Sequence, residues 1–495
     1  MQIQINCFFP IETKVRDFDS RLLTALELID DNINCFIGSK VSVLNNLKNF
    51  TAPIVFDKGL SNDDFLYKQL KKIGVHFVVM GEENGLFDEK AFYPNLISQY
   101  PKKVVPYCNA SFEWGNIQKN WLNKYFFDSY KIRDFNFITT GNPRFDLLKN
   151  KFKFFFENKT LQLREKYNNY ILINTNFTIA NDLRGGRGFI FHLSKKGNIT
   201  LHKYFSQLLN SYIETVKYLA NNLKDLNIVL RPHPTEGSAI YEKAFKNLKN
   251  VFVDDCSRNV HELIMASQLI IHHDCTTAIE SYLAKKKVIS YRPIQNELRE
   301  YFDKSYLHQT LPINLSYKVK NKEELLKLII NKNKKNNITE ENNRKIEGWI
   351  ENSIENKYAY MEIANYIKKN VSFFYDNFIK QKKLNLNFFH NYNINSLSNK
   401  IKRNINFFIY FDKSYSSGMG FYLKSKLIYR DLIIPLISKF FIKKKSAGHK
   451  KIQNITLEEI NNSILIFQKI NKKYENIKVK KICENGFYLY KGNKL

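Results

Sequence analysis

YILINTNF at residues 170–177, HKYFSQLLNSYIETVKYLANNL at 202–223 and NIVLRPHP at 227–234 decide the fold. The outer two are short, apolar, β-prone runs that end in polar residues, while the middle one carries apolar side chains at helical spacing. Strand, helix and strand in that order form a βαβ unit, whose two strands are parallel because the crossover returns the chain to the same end of the sheet. The pattern continues through NVFVDD (250–255), a helix over RNVHELIMAS (258–267), the strand QLIIHH (268–273), a helix over TTAIESYLAKK (276–286) and the strand KVISYRP (287–293).

The same alternation runs upstream. IQINCFF, the helical RDFDSRLLTALELIDD (16–31) and INCFIGS (33–39) open the chain, and APIVFDKG, VHFVVMG, KVVPYC and FNFITTG supply further strands. The expected architecture is therefore α/β, with two Rossmann-like domains facing a cleft: 1–155, and 165–320 after a Lys-rich helical stretch. Ligands of such sheets bind at the carboxyl ends of the strands. Residues 321–370 read as linker and crossing helices, and 371–495 as a helical, basic C-terminal extension.

In RPHP (231–234) flanking prolines fix the backbone, so His233 projects rigidly from a strand end. His233 can donate to a phosphate oxygen and Arg231 can add a charge-assisted fork; the alternative is that both merely cap a loop. In DCTTAIES (274–281) the strand passes into a helix that Asp274 or Thr276 can cap, with the Thr276 and Thr277 hydroxyls available to an anion. The alternative there is an ordinary N-cap. His272 and His273, being adjacent, point to opposite sides of a strand, so one can face the pocket but the pair cannot share a metal. Asn174 and Asn176 end the first strand of this domain, and the glycine loop DLRGGRG (182–188) after them matches neither a dinucleotide fingerprint nor a P-loop.

In the first domain GEENGL (81–86) follows a buried strand, so Glu82 or Glu83 can act as general base toward an acceptor hydroxyl, unless both are simply solvated turn residues. Glu12, Lys14 and Arg16 cluster at the first strand-to-helix junction and Arg144 follows the turn TGNP; these form the candidate acceptor-binding set.

The 495 residues are enough for two or three domains. A formal charge of +30 points to anionic partners without choosing among them. Residues 371–495 hold 24 Lys and Arg against 7 Asp and Glu, a surplus of 17. Within them FYLKSKLIYRDLIIPLISKFFIKKK (421–445) alternates apolar clusters with cations, as a basic helix on an anionic membrane surface would; the alternative is a helix packed on the domains with a solvated Lys face. No nucleic-acid-binding signature accompanies the charge, so no nucleic acid partner is expected. The N-terminus lacks a signal-peptide pattern and no apolar run reaches the length of a membrane span, which predicts a cytoplasmic chain, peripheral to the membrane at most. Six scattered cysteines without a C-x-x-C pair predict reduced thiols and no zinc or redox site.

Taken together, PIETKVRDFDSRLLTALEL (10–28), GEENGL, TGNPRFDLL (140–148), ILINTNF, RPHP and DCTTAIES resemble bacterial surface carbohydrate biosynthesis proteins of the glycosyltransferase-B fold. That group is related to capsule Kdo transferases, sialyl- and polysialyltransferases, and teichoic-acid glycerophosphotransferases. The resemblance implies a metal-independent transferase that takes an acidic ulosonic-type sugar from a CMP-activated donor, its co-substrate rather than a resident cofactor, to a glycan or lipid-linked glycan. It implies that His233 with Pro234, and Thr276 with Thr277, hold the donor phosphate, and that the acidic pair Glu82 and Glu83 supplies the base. Asn84 between that pair and Gly85 departs from the pattern, as does a Thr pair in the Ser/Thr motif. The candidate donor-binding set is Asn174, Asn176, Arg231, His233, Pro234, His273, Asp274, Thr276, Thr277 and Glu280; the catalytic set is Glu82, Glu83 and His233. The competing readings are a CDP-polyol phosphotransferase, a UDP-sugar transferase or epimerase of the same fold, and a non-enzymatic membrane-docked scaffold.

Overall fold

The computed structural model describes residues 3–82, 89–96, 99–185, 199–304, 310–331, 340–389 and 454–492. The basic stretch 421–445 and Glu83 lie outside the described residues.

Six strands of the first domain, β1 (Ile5–Ile11), β2 (Ile33–Ser39), β3 (Pro53–Asp57), β4 (His76–Met80), β5 (Cys108–Glu113) and β6 (Phe137–Thr139), pair in parallel in the order β2-β1-β3-β4-β5-β6. Six more form the second sheet: β7 (Tyr170–Asn174), β8 (Asn227–Arg231), β9 (Val251–Val253), β10 (Leu269–His272), β11 (Lys287–Tyr291) and β12 (Tyr317–Val319). Its order, β12-β11-β10-β7-β8-β9, all parallel, is the doubly wound arrangement in which strand order reverses between β7 and β10. The expected α/β architecture of two Rossmann-like domains is present. Strands such as YILIN and KVISY are buried throughout because helices cover both faces, which explains why they read as continuous apolar runs instead of alternating ones.

The end of the chain differs from the helical extension expected for 371–495. Val371–Phe389 and Leu457–Gln468 are helical, but Ile477–Cys483 (β13) and Gly486–Lys491 (β14) form a hairpin that adds antiparallel to the free edge of β2, with Leu489 opposite Cys35 and Phe487 opposite Ile37. Phe487 and Leu489 are buried in the first-domain core together with Ile460 and Phe467. The sequence signal of the hairpin is weak because IKVKKIC is Lys-rich, as an outermost strand tends to be; its lysines face solvent and its alternation is poor. Gly38 and Gly486 meet across this pairing, and a Cβ on Gly38 would collide with the Asn485 carbonyl.

The domains are joined by more than a linker. The helix Lys153–Tyr167 places Phe155 and Phe156 in the first core and Leu163 and Tyr167 in the second. A further apolar cluster belongs to neither alone: Trp114, Phe145 and Leu148 of the first domain pack with Ala278, Ile279 and Tyr282 of the second and with Ile346 and Ile350 of the segment that crosses back. The helix Ala359–Lys369 then returns to the first domain, burying Tyr360, Ile363 and Ile367 in its core. Among the described residues, no helix is long and apolar enough to cross a membrane. The six cysteines are free; Cys7, Cys35 and Cys256 are buried, and Cys108, Cys275 and Cys483 are partly so.

Candidate functional site

At the reversal the carboxyl ends of β10, β7 and β8 lie side by side, and several of the polar residues singled out in the sequence follow these ends. Asn174 ends β7, and its Nδ2 donates to Thr277 Oγ1 at 3.0 Å, so one hydrogen bond spans the reversal point. Thr276 is the N-cap of the helix Thr277–Leu283, yet its side chain makes no capping bond. Asp274 is buried beside His273, its Oδ1 3.0 Å from His273 Nδ1. Asn176, Cys275, Thr276 and Thr277 are all partly exposed.

One strand over, β8 ends in Arg231 and leads into a tight turn. The Glu236 N–H donates to His233 O at 2.7 Å, closing a four-residue turn with Pro234 in its second position, where its fixed φ fits. Pro234 therefore acts through the backbone. The Thr235 N–H points at His233 Nδ1 (3.3 Å) and the Thr235 hydroxyl lies 2.6 Å from the same nitrogen. A backbone N–H can only donate, so Nδ1 is the acceptor and the neutral ring carries its proton on Nε2, an assignment that follows from these partners. His233 is thereby pre-set to present a donor.

Other predicted donor-site residues are turned elsewhere. Arg231 is buried, with Nη1 3.1 Å from Asp254 Oδ2 and Nη2 donating to the Arg258 carbonyl at 2.8 Å, so its fork is engaged with the loop after β9. His273 is buried against Tyr204 and Phe302, with Nε2 2.8 Å from Tyr204 Oη. His272 packs on the opposite side, accepting the Cys275 N–H at Nδ1 and lying 2.8 Å from Ser316 Oγ through Nε2. Burial pushes the His272 imidazole down to about 3, so it is neutral.

At the seam with the first domain, Glu280 lies between Arg144, whose Nε is 3.0 Å from Glu280 Oε1, and His261, whose Nε2 is 3.3 Å from the same oxygen. Burial opposes its charge, but the Arg144 guanidinium and, after it, the His261 ring hold the Glu280 carboxyl below its usual range. Glu82 completes the chain: it accepts from Arg21 Nη2 at 3.1 Å and lies 3.8 Å from Arg144 Nη1. Glu82 is buried, and its oxygens face guanidinium groups rather than open space. The TGNPRFD turn thus holds three tasks within five residues. Asn142 Nδ2 donates to Gly81 O (3.2 Å), Arg144 reaches across to the second domain, and Asp146 accepts from Asn352 Nδ2 (2.6 Å) and the Tyr360 N–H (2.9 Å). Burial raises the Asp146 carboxyl to about 6.

The expected acceptor cluster is placed at the β1/β3 reversal of the first sheet, and its members are paired within the chain. Glu12 pairs with Lys58 and Lys40, Lys14 with Glu459 (2.7 Å) and Arg16 with Asp17 (2.5 Å). Lys14 thus fastens the C-terminal helix to the first domain.

One residue the sequence reading passed over is Glu236. It is fully buried and accepts four donors: Thr175 Oγ1 (3.0 Å), Phe177 N (2.9 Å), His233 N (3.1 Å) and Tyr241 Oη (2.6 Å). A carboxylate three residues after the histidine was its only local signal. Among the described residues, no group of three or more His, Cys, Asp or Glu side chains could hold a metal ion.

No protein-family model matches the chain, and no curated protein matches it in sequence. Solved structures do. A structure of MnaA from S. aureus with UDP is 15% identical over 75% of this chain and 97% of that one, with a TM-score of 0.44. The wall teichoic acid polymerase TagF, soaked with CDPG, is 12% identical over 74% and 88%, with a TM-score of 0.46. UDP-GlcNAc 2-epimerase from Methanocaldococcus jannaschii is 14% identical over 74% and 100%, with a TM-score of 0.44.

Proposed function

We propose that this chain is a nucleotide-sugar-dependent glycosyltransferase of cell-surface glycan assembly, with the donor held at the β7/β10 reversal of the second domain. The observation that carries the reading is the convergence of three strand ends: Asn174 on β7, the His233 turn after β8, and Thr276 and Thr277 after β10. Nε2–H of His233 and the two hydroxyls supply donors to a phosphate, and negative charge developing on a departing nucleotide is stabilised by them. Asn176 is placed to orient the nucleoside or sugar. With Glu82 held between Arg21 and Arg144, the base role falls to Glu83, which would take the proton of the acceptor hydroxyl. A CMP-linked acidic sugar is the proposed donor and a glycan or lipid-linked glycan the acceptor, used on the cytoplasmic face with the basic region 371–495 against anionic lipid.

A thermal-shift titration with CMP, CDP, UDP and GDP tests this, because a ligand of the folded state raises its melting temperature by mass action. A selective CMP shift, lost in His233→Ala, is the expected result. A CDP-selective shift favours polyol-phosphate transfer and a UDP-selective shift a UDP-sugar transferase or epimerase. No shift with any of the four overturns the nucleotide-site reading.

A further inference from the structure

We propose that Glu236 is the positioning residue of the phosphate-binding turn, a buried carboxylate whose geometry presents His233 with its proton on Nε2. The proposal rests on the assignment of His233 above and adds a residue that does not itself reach the ligand.

Glu236 closes its turn twice. Its own N–H donates to His233 O at 2.7 Å, and its Oε1 accepts the His233 N–H at 3.1 Å, so both ends of the turn are tied to one residue. The same Oε1 accepts the Phe177 N–H, which follows β7, so the ends of two neighbouring strands are bound to a single oxygen. Further bonds continue the junction: Leu183 N to Thr235 O at 2.9 Å, Gly237 N to Asn181 O at 3.0 Å, and Asn181 Nδ2 to Gly237 O at 2.8 Å. With its turn so fixed, the Thr235 N–H stays against His233 Nδ1. Burial pushes the Glu236 carboxyl up while its four donors oppose the rise, and none of them is a cation. A buried carboxylate is costly unless its oxygens are hydrogen-bonded, and these four donors supply bonds that no apolar residue could make.

The two oxygens have chemically different partners. Oε1 accepts from two backbone N–H groups, which can only donate, and from the Thr175 hydroxyl, whereas Oε2 faces hydroxyls alone, those of Tyr241 and Thr175, which can turn round and accept. A glutamine placed with its oxygen toward the backbone keeps every contact without the charge. An aspartate keeps the charge but falls one bond short.

The test is Glu236→Gln against Glu236→Asp in the full chain, read in two ways. The first is 15N NMR of histidine-labelled, nucleotide-free protein, with the His233 signals assigned by their loss in His233→Ala. Wild type and Glu236→Gln are expected to show an unprotonated Nδ1, and Glu236→Asp a mixture of tautomers. The second is affinity for CMP, CDP and UDP: within about threefold of wild type for Gln, and weakened about tenfold or more for Asp, as expected when hydrogen bonds of this kind are lost. The reverse order of the two variants, or an unchanged His233 tautomer in Glu236→Asp, overturns the proposal. If wild-type protein binds none of the nucleotides, the function proposed above fails while the tautomer measurement still decides the role of Glu236.

Discussion

Arg144 in the first domain lies against Glu280 in the second, Nε to Oε1 3.0 Å, with both side chains almost wholly buried. His261 and Glu82 extend the contact on either side, giving the order Arg21, Glu82, Arg144, Glu280, His261. An ion pair removed from water survives only when each member keeps its partners. Arg144→Leu is expected to lower stability by about 3 to 5 kcal/mol, since Glu280 would be left buried with less compensation. Denaturant unfolding of Arg144→Leu, Glu280→Gln and the double variant measures the coupling; strictly additive losses would show that the two residues act independently.

The shared apolar cluster around Trp114, Phe145, Ala278 and Ile279 makes domain separation costly. Relative domain motion is the default only where an interface is small and polar. Calorimetry should therefore show the two domains unfolding in one transition, and Ile279→Ala should destabilise that single transition by about 2 to 5 kcal/mol. Two resolved transitions, only one of them shifted by Ile279→Ala, would refute the shared core.

Leu489 lies six residues from the end of the chain, yet it packs in the first-domain core with Cys35 opposite it across the sheet. Leu489→Ala is expected to cost about 2 to 5 kcal/mol, as a central core leucine does. A loss below about 0.5 kcal/mol, typical of a surface site, would place the hairpin outside the folded core.

His272 carries the clearest pH dependence. Its folded imidazole is held down to about 3 by burial, against about 6.5 when exposed in the unfolded chain. The unfolded state therefore binds the extra proton between these values. Stability from His272 is complete above about pH 6.5 and falls as the pH is lowered, by about 1.4 kcal/mol per unit. Asp146, raised to about 6, works in the opposite direction between about pH 4 and 6, so the wild-type slope there is a difference of two effects. Comparing wild type with His272→Asn isolates one of them, and equal slopes between pH 6.5 and 4 would show that His272 is not buried neutral.

The hydrogen bond from Asn174 to Thr277 bridges the point where strand order reverses. Asn174→Ala is expected to weaken binding of whichever nucleotide raises the melting temperature by about 2- to 10-fold, with little change in stability, as for a single partly exposed hydrogen bond. Calorimetric titration reads the change; an unaltered affinity would move the phosphate away from these strand ends.

The sequence by itself determined the two α/β domains, because runs such as YILIN and NIVLR buried on both faces and the long amphipathic helix between them leave few other packings. It also marked the candidate site: RPHP and DCTT lie at the ends of β8 and β10, and strand ends are where parallel sheets bind ligands. It did not determine which side chains face that site. Arg231 and His233 are two residues apart, yet Arg231 turns to Asp254 while the Pro234 turn carries His233 away, and only tertiary partners decide that. Arg144 and Glu280 are 136 positions apart and met only when two domains packed. Glu236, buried among donors from three elements, and the hairpin on β2 became legible the same way. Local pattern sets the period and ends of strands and helices, whereas the partner of a charged or amide group is set by whatever distant segment the fold brings within hydrogen-bond reach.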